Sequence, residues 1–223
     1  GGLNRYDPAT HKFTSLQSSE ISNKLEPLSN NIYTLFKDKR GFVWLGYETG
    51  AGFSRFSPND QTFEHFPPDI SAKQTRAVSF AETSNGNLWI LIDGLGILQL
   101  DNDRNFSKVI NIPSHDGAPT SINRFSHLLA ASDGNLWISS LDTGLTRYNP
   151  NTGNFSHFRS DSERSSTISD NTVYMTIEDQ SKNIWVATRS GVSVWEPATK
   201  TFTWINASNS NIPDNQVFSI YQS

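Results

Sequence analysis

Phe42-Val43-Trp44-Leu45, Asn87-Leu88-Trp89-Ile90, Asn135-Leu136-Trp137-Ile138 and Asn183-Ile184-Trp185-Val186 are four copies of one phrase, their tryptophans 45, 48 and 48 residues apart. A period of about 40–50 residues marks a chain made by copying one supersecondary unit, no copy of which buries its apolar face alone. Around Trp44 the unit reads as four short β-type runs. Ile32–Phe36 is the first, and Lys37–Gly41 is a turn. Phe42–Gly46 is almost continuously apolar, as expected of a strand buried on both faces. Gly52–Phe56 alternates apolar and polar, Ser57-Pro58-Asn59-Asp60 turns the chain, and Phe63–Phe66 stops at Pro67-Pro68.

The same four runs recur in each later copy, and no segment keeps a helical period. The spacing therefore predicts an all-β chain of four-stranded antiparallel units, which at this length are the blades of a β-propeller. A β-solenoid is the alternative, although its repeats are usually shorter. The predicted layout is a partial blade over 1–28, then blades over about 29–70, 71–118, 119–166 and 167–210, then a first strand over 211–223. Gly2-Leu3-Asn4-Arg5-Tyr6-Asp7-Pro8 matches Gly144-Leu145-Thr146-Arg147-Tyr148-Asn149-Pro150, and Asn215–Ile220 matches the start of a first strand. On this reading the chain is a fragment of a longer array.

At 223 residues the chain is long enough for a substantial core. Its net charge of −4 gives no electrostatic footprint for nucleic acid or an anionic membrane. No run approaches the roughly 18 apolar residues of a membrane span, so any membrane link would lie in segments outside this sequence. The absence of cysteine excludes disulfides, thiolate metal sites and cysteine nucleophiles.

The unit also reads as D-x-x-G-x-x-W, seen in Asp38-Lys39-Arg40-Gly41-Phe42-Val43-Trp44, followed by G-[LFIV]-x-x-[YFLW]-[DNSE]-P, seen in Gly144–Pro150. Unit four has Lys182 in place of the glycine, and unit two has Asp101-Asn102 in place of the Asp-Pro turn. Over essentially the whole chain this resembles the two-component regulator propeller repeats of the periplasmic sensor regions of bacterial hybrid sensor histidine kinases and related signalling proteins. The resemblance implies a non-catalytic periplasmic sensor region of an inner-membrane protein, working as a homodimer, with a kinase or other output domain elsewhere. It implies an oligosaccharide or another small ligand, and no cofactor.

The repeated groups point to architecture. The tryptophans and Phe63, Phe106, Phe155 and Phe202 are predicted to pack between sheets. Gly52, Gly96, Gly144 and Gly191 should relieve backbone geometry where the third strand begins. Fourteen residues before each Trp stand Asn30, Thr75, Asn123 and Asn171, with Asn215 in phase. Asparagine there is expected to bond local backbone.

Function is sought where the register holds but the chemistry changes. One residue later stand Asn31, Arg76, Arg124, Thr172 and Gln216. Arg76 and Arg124 are candidates to clamp a carboxylate, sulfate or phosphate, or else to pair with nearby acids. The connections between second and third strands add Tyr47 as a stacking ring, with Glu48, Asp93, Asp142 and Arg189 as hydrogen-bonding groups.

Signals of catalysis are poor. His11, His65, His115, His127 and His157 have no metal-ligand spacing. His65 and His157 are expected on the outer surface of fourth strands. Carboxylates such as Asp38, Asp133 and Asp179 fall in turns rather than as a facing pair. The readings left open are a ligand sensor, a protein-interaction scaffold, and a propeller lyase or glycosidase.

Overall fold

The computed structural model describes residues 1–19, 24–48, 52–66, 76–103, 105–113, 124–161 and 166–222. Thr75, Asn123, His115, Thr49-Gly50-Ala51 and Pro67-Pro68 lie outside these, as does the side chain of Phe106. A two-stranded sheet comes first, β1 (Leu3–Asp7) with β2 (Lys12–Leu16). Four four-stranded sheets follow: β3 (Ile32–Lys37), β4 (Val43–Tyr47), β5 (Phe53–Ser57) and β6 (Thr62–Phe66); β7 (Ala77–Glu82), β8 (Leu88–Ile92), β9 (Gly96–Leu100) and β10 (Phe106–Ile110); β11 (Phe125–Ala130), β12 (Leu136–Ser140), β13 (Leu145–Tyr148) and β14 (Phe155–Phe158); β15 (Val173–Glu178), β16 (Ile184–Thr188), β17 (Gly191–Glu196) and β18 (Thr201–Ile205). Each is a simple meander in chain order. The chain divides into two compact units, Gly1–Phe80 and Ala81–Ser223, with the division inside β7.

The turn between the first and second strand is the same object four times. The residue six before each Trp donates its N–H four residues on and accepts an N–H from three residues on. This holds for Asp38 (2.9 and 3.0 Å), Thr83 (3.0 and 3.0 Å), Ala131 (2.9 and 3.0 Å) and Asp179 (2.9 and 3.0 Å). The donor of the second bond is in the left-handed region at Gly41, Gly86, Gly134 and also Lys182, whose φ is 71°. That same leading residue holds the tryptophan. The indole N–H of Trp44 donates to Asp38 Oδ2 at 2.9 Å, that of Trp185 to Asp179 Oδ2 at 2.8 Å, and that of Trp89 to Thr83 Oγ1 at 3.3 Å. Ala131 offers nothing, and the buried indole nitrogen of Trp137 has no partner among the described residues.

The core follows the predicted ring ladder. Trp44, Trp89 and Trp137 are at most 2% exposed, and Phe63 and Phe202 are buried. Trp185 and Phe155 are only half-buried. In the first unit Leu45, Tyr47, Phe56 and Phe63 form one cluster, while Trp137, Val186, Trp195 and Phe202 belong to one in the second.

Recurrent asparagine joins one sheet to the start of the next. Asn30 Oδ1 accepts the Ser18 N–H (2.7 Å), Asn171 Oδ1 that of Ser160 (2.9 Å), and Asn215 Oδ1 that of Ala207 (2.8 Å). The carbonyls of the same three residues accept from Gly2, Gly144 and Gly191. At Gly144, with φ +87°, a Cβ would sit 2.5 Å from the Phe158 carbonyl oxygen, so glycine is required there. The segments before these asparagines also cover open sheet edges. Phe63 donates to the Lys24 carbonyl and Phe202 to that of Ser166, satisfying edge groups that would otherwise invite pairing with another chain.

Two expectations need correction. His65 and His157 are half-buried rather than surface residues, because a hydroxyl on the neighbouring third strand engages each ring: Ser54 Oγ at 2.9 Å from His65 Nδ1, and Thr146 Oγ1 at 3.0 Å from His157 Nδ1. No strand forms over 211–222. Val217 N–H still reaches the Thr188 carbonyl at 3.0 Å, but Phe218 and Tyr221 stay 62% and 88% exposed.

Candidate functional site

The connections that carry the candidate residues are held by a repeated backbone contact. The residue after the second strand donates to the carbonyl just before the first strand: Glu48 to Asn31 (3.0 Å), Leu141 to Arg124 (2.8 Å) and Arg189 to Thr172 (3.1 Å). The register slips at the second residue of β3, β11 and β15, a bulge that re-aims Tyr33, Ser126 and Tyr174.

Each bulged residue reaches the beginning of the next repeat. Within the first unit the Arg76 guanidinium lies 4.2 Å from the centre of the Tyr33 ring and pairs with Glu48 at 3.2 Å. Ser126 Oγ donates to the Val173 carbonyl at 2.7 Å. Gln216 Nε2 donates to Tyr174 Oη at 3.0 Å, with Phe218 against the same ring. At Arg76 and Gln216 the variable position thus serves to dock on the bulged residue of the preceding copy. Val78 stands in β7 where the other copies have Tyr33 and Tyr174, and it offers neither ring nor acceptor.

Arg124 differs from Arg76. It is exposed, and its guanidinium has no partner among the described residues. Its surroundings are nevertheless built. Asp93 Oδ1 accepts the Phe125 N–H at 3.1 Å, and Asp142 Oδ1 accepts the Ser140 hydroxyl at 2.5 Å. Two connections with carboxylates therefore flank the start of β11. Arg189 is half-spent, its Nε 3.3 Å from Asp170 Oδ2. Burial pushes Asp170 up, but the Thr172 N–H, the Ser190 and Thr172 hydroxyls and Arg189 outweigh it and leave the carboxyl below its usual range.

Tyr47 is placed otherwise than the sequence suggested. It belongs to β4, is 0% exposed, accepts the Leu28 N–H at 3.1 Å and donates to Ser54 Oγ at 2.9 Å. Its burial raises the phenol pKa, and no ring face is left for a ligand. Glu48, Asp93, Asp142 and Arg189 do lie on the connections, each with a structural contact. The bulged tyrosines were missed, because a one-residue slip in register carries no mark in composition.

The segment holding the Asn30 contact, the Asp38 turn and Trp44 also matches a known family. Residues 27–49 match the two component regulator propeller repeat. No curated protein matches the chain. Among solved structures, the fold is similar to the extracellular domain of a protein assigned to a hybrid two component system of B. thetaiotaomicron. The identity is 19% over 99% of this chain and 28% of that one, with a TM-score of 0.74. A second extracellular domain from that organism, assigned to a one component system, gives 24% identity over 86% of this chain and 24% of that one, with a TM-score of 0.71. Virginiamycin B lyase from Staphylococcus aureus gives 14% identity over 95% and 64% of the two chains, with a TM-score of 0.65. These likenesses establish the fold, a β-propeller of four-stranded blades. The chain spans about a quarter of the length of the first two neighbours.

Proposed function

We propose that this chain is a non-catalytic, extracytoplasmic ligand-sensing segment of a bacterial two component or related membrane signalling protein. In this reading it faces the periplasm as part of an inner-membrane homodimer and takes an oligosaccharide or a small anion. The propeller repeat at residues 27–49 and the two extracellular neighbours support the setting. The described histidines support binding over turnover, since each has a separate structural contact: His11 with Tyr6, His65 with Ser54, His127 with Thr176 and His157 with Thr146.

The observation that carries the binding site is Arg124: an exposed guanidinium without a partner among the described residues, on backbone fixed by the Leu141 and Phe125 hydrogen bonds. A free fork held in place is suited to an oxyanion. The test is a thermal-shift screen of neutral and anionic oligosaccharides against the parent chain and Arg124→Ala. A ligand that stabilises the parent and not the variant supports the reading. A flat panel, or a shift indifferent to Arg124, overturns it.

A further inference from the structure

In the first three four-stranded sheets, the residue opposite the second-strand tryptophan decides how the flank of that ring is filled. Opposite Trp44 is Arg55, whose guanidinium lies 4.5 Å from the Phe42 ring centre and 5.8 Å from that of Trp44, and which is ion-paired with Glu64. Opposite Trp137 is Arg147, 5.8 Å from Trp137 and 6.0 Å from Trp195. In the second sheet the position opposite Trp89 is Gln99, and opposite Gln99 stands Lys108, just after a slip in the β9–β10 register. The shorter amide leaves a recess of about 360 Å³ between the second and third four-stranded sheets. That volume is within the range of small-molecule sites.

The recess is lined by polar groups, some of them unengaged among the described residues. Ser84, Asn87, Gln99 and Lys108 all face it, and the side chains of these four have no partner among the described residues. Half-buried amides such as Asn87 and Gln99 are normally paired. The other wall brings Asp133, whose oxygens accept only the backbone N–H (2.9 Å) and side-chain amide (2.6 Å) of Asn135, with no counter-cation among the described residues. A cation on one sheet and an anion on the next thus border one polar space without pairing with each other. Each wall includes a turn fixed by backbone hydrogen bonds, Thr83–Asn87 on one sheet and Ala131–Asn135 on the next, at the end of β11 opposite to Arg124.

We propose that this recess binds a small zwitterion of the free α-amino acid type. Its carboxylate meets Lys108, its ammonium meets Asp133, and the amides of Gln99 and Asn87 take the remaining polar atoms. An uncharged sugar would leave both charges uncompensated, and a simple anion would leave Asp133 so. The site is separate from Arg124, and either stands without the other.

The test is a thermal-shift titration with glycine, L-alanine, L-glutamate and L-lysine. N-acetyl-L-alanine, L-alaninamide and glucose serve as comparators. At a hundred times its dissociation constant a true ligand raises the melting temperature by about 5–10 °C. The expected result is a rise with at least one free amino acid, lost when either charge is blocked. Gln99→Arg, which restores the side chain found in the first and third sheets, should melt like the parent and abolish the rise. Lys108→Gln, at an exposed position, should weaken binding about tenfold or more. No rise with any free amino acid, equal binding of the blocked derivatives or glucose, or a rise that survives both substitutions would overturn the proposal.

Discussion

Ala131→Asp should stabilise the chain, although it puts a carboxylate where the present side chain is only 6% exposed. The turn backbone at Ala131 matches those at Asp38 and Asp179 in both flanking hydrogen bonds, so a carboxylate there would meet the Trp137 indole as Asp38 meets Trp44. Asp38 Oδ1 also accepts the Arg40 and Phe42 N–H groups, both at 3.0 Å. An unpaired buried donor costs about 1–3 kcal/mol, and a hydrogen bond to a charged group contributes about 1.5–3 kcal/mol. Desolvation of the new charge and the nearby Asp133 and Glu178 carboxylates offset much of this. A net gain of about 1 kcal/mol remains, or about 2–4 °C in melting temperature. The assay is urea unfolding followed by tryptophan fluorescence, read as the midpoint at constant slope, with Asp38→Ala as the converse. That variant should lose about 2–3 kcal/mol, since it orphans an indole and two amides. The gain should also depend on pH. Burial pushes Asp179 up, yet the Trp185 indole and Asn183 outweigh it and hold the carboxyl below its usual range. A group at position 131 with a similarly depressed folded pKa stabilises fully above about pH 4, and the gain fades as pH falls through the folded value. An unchanged midpoint for Ala131→Asp, with Asp38→Ala costing under about 0.5 kcal/mol, would refute the reasoning.

Lys182→Gly should raise the urea midpoint by about 0.5–1 kcal/mol, because the left-handed backbone at φ 71° is costlier for lysine than the extra freedom of glycine in the unfolded chain. His127 is held neutral, its pKa pushed down by burial to about 4, with its Nδ1 accepting the Thr176 N–H at 3.4 Å. Its unfolded pKa near 6.5 lies above the folded one. Stability is therefore full above about pH 6.5 and falls by up to about 3 kcal/mol as pH drops towards 4, a slope that His127→Gln should flatten in denaturation curves between pH 4 and 7. Arg76→Ala should cost about 0.5–1 kcal/mol through Tyr33 and Glu48, whereas Arg124→Ala should leave the midpoint within about 0.5 kcal/mol.

The fold was legible because its signals repeat: a tryptophan on each second strand, glycine at the start of each third strand, and in three of the four copies an asparagine fourteen residues before that tryptophan. Repetition marks what every sheet needs. The partners of those groups were harder to read. The sequence singled out Asp133 as a hairpin carboxylate alongside Asp38 and Asp179, yet it stands two residues beyond their position, and the residue in phase is Ala131. Counting six back from each tryptophan would have found the gap. Tyr47 looked like a loop residue because the second strand runs one residue past the glycine that closes the apolar run. Arg76 and Arg124 share a register position but not a circumstance. Arg76 is occupied by the ring at another copy's bulge, some forty residues away in sequence, and no local pattern records that.

The asparagine contacts mean that the genetic repeat and the mechanical repeat are out of phase. Asn171 is encoded with the fourth sheet but spends its carbonyl and side chain on Gly144 and Ser160 of the third, and Asn30 serves Gly2 and Ser18 in the same way. At each of these described junctions, a sheet that tilts drags the opening residues of its successor with it. A duplication or deletion that breaks between such an asparagine and its glycine leaves one sheet without its pin. Crossovers inside the first two strands of a sheet, which keep each pin with its socket, are the ones through which such an array can grow.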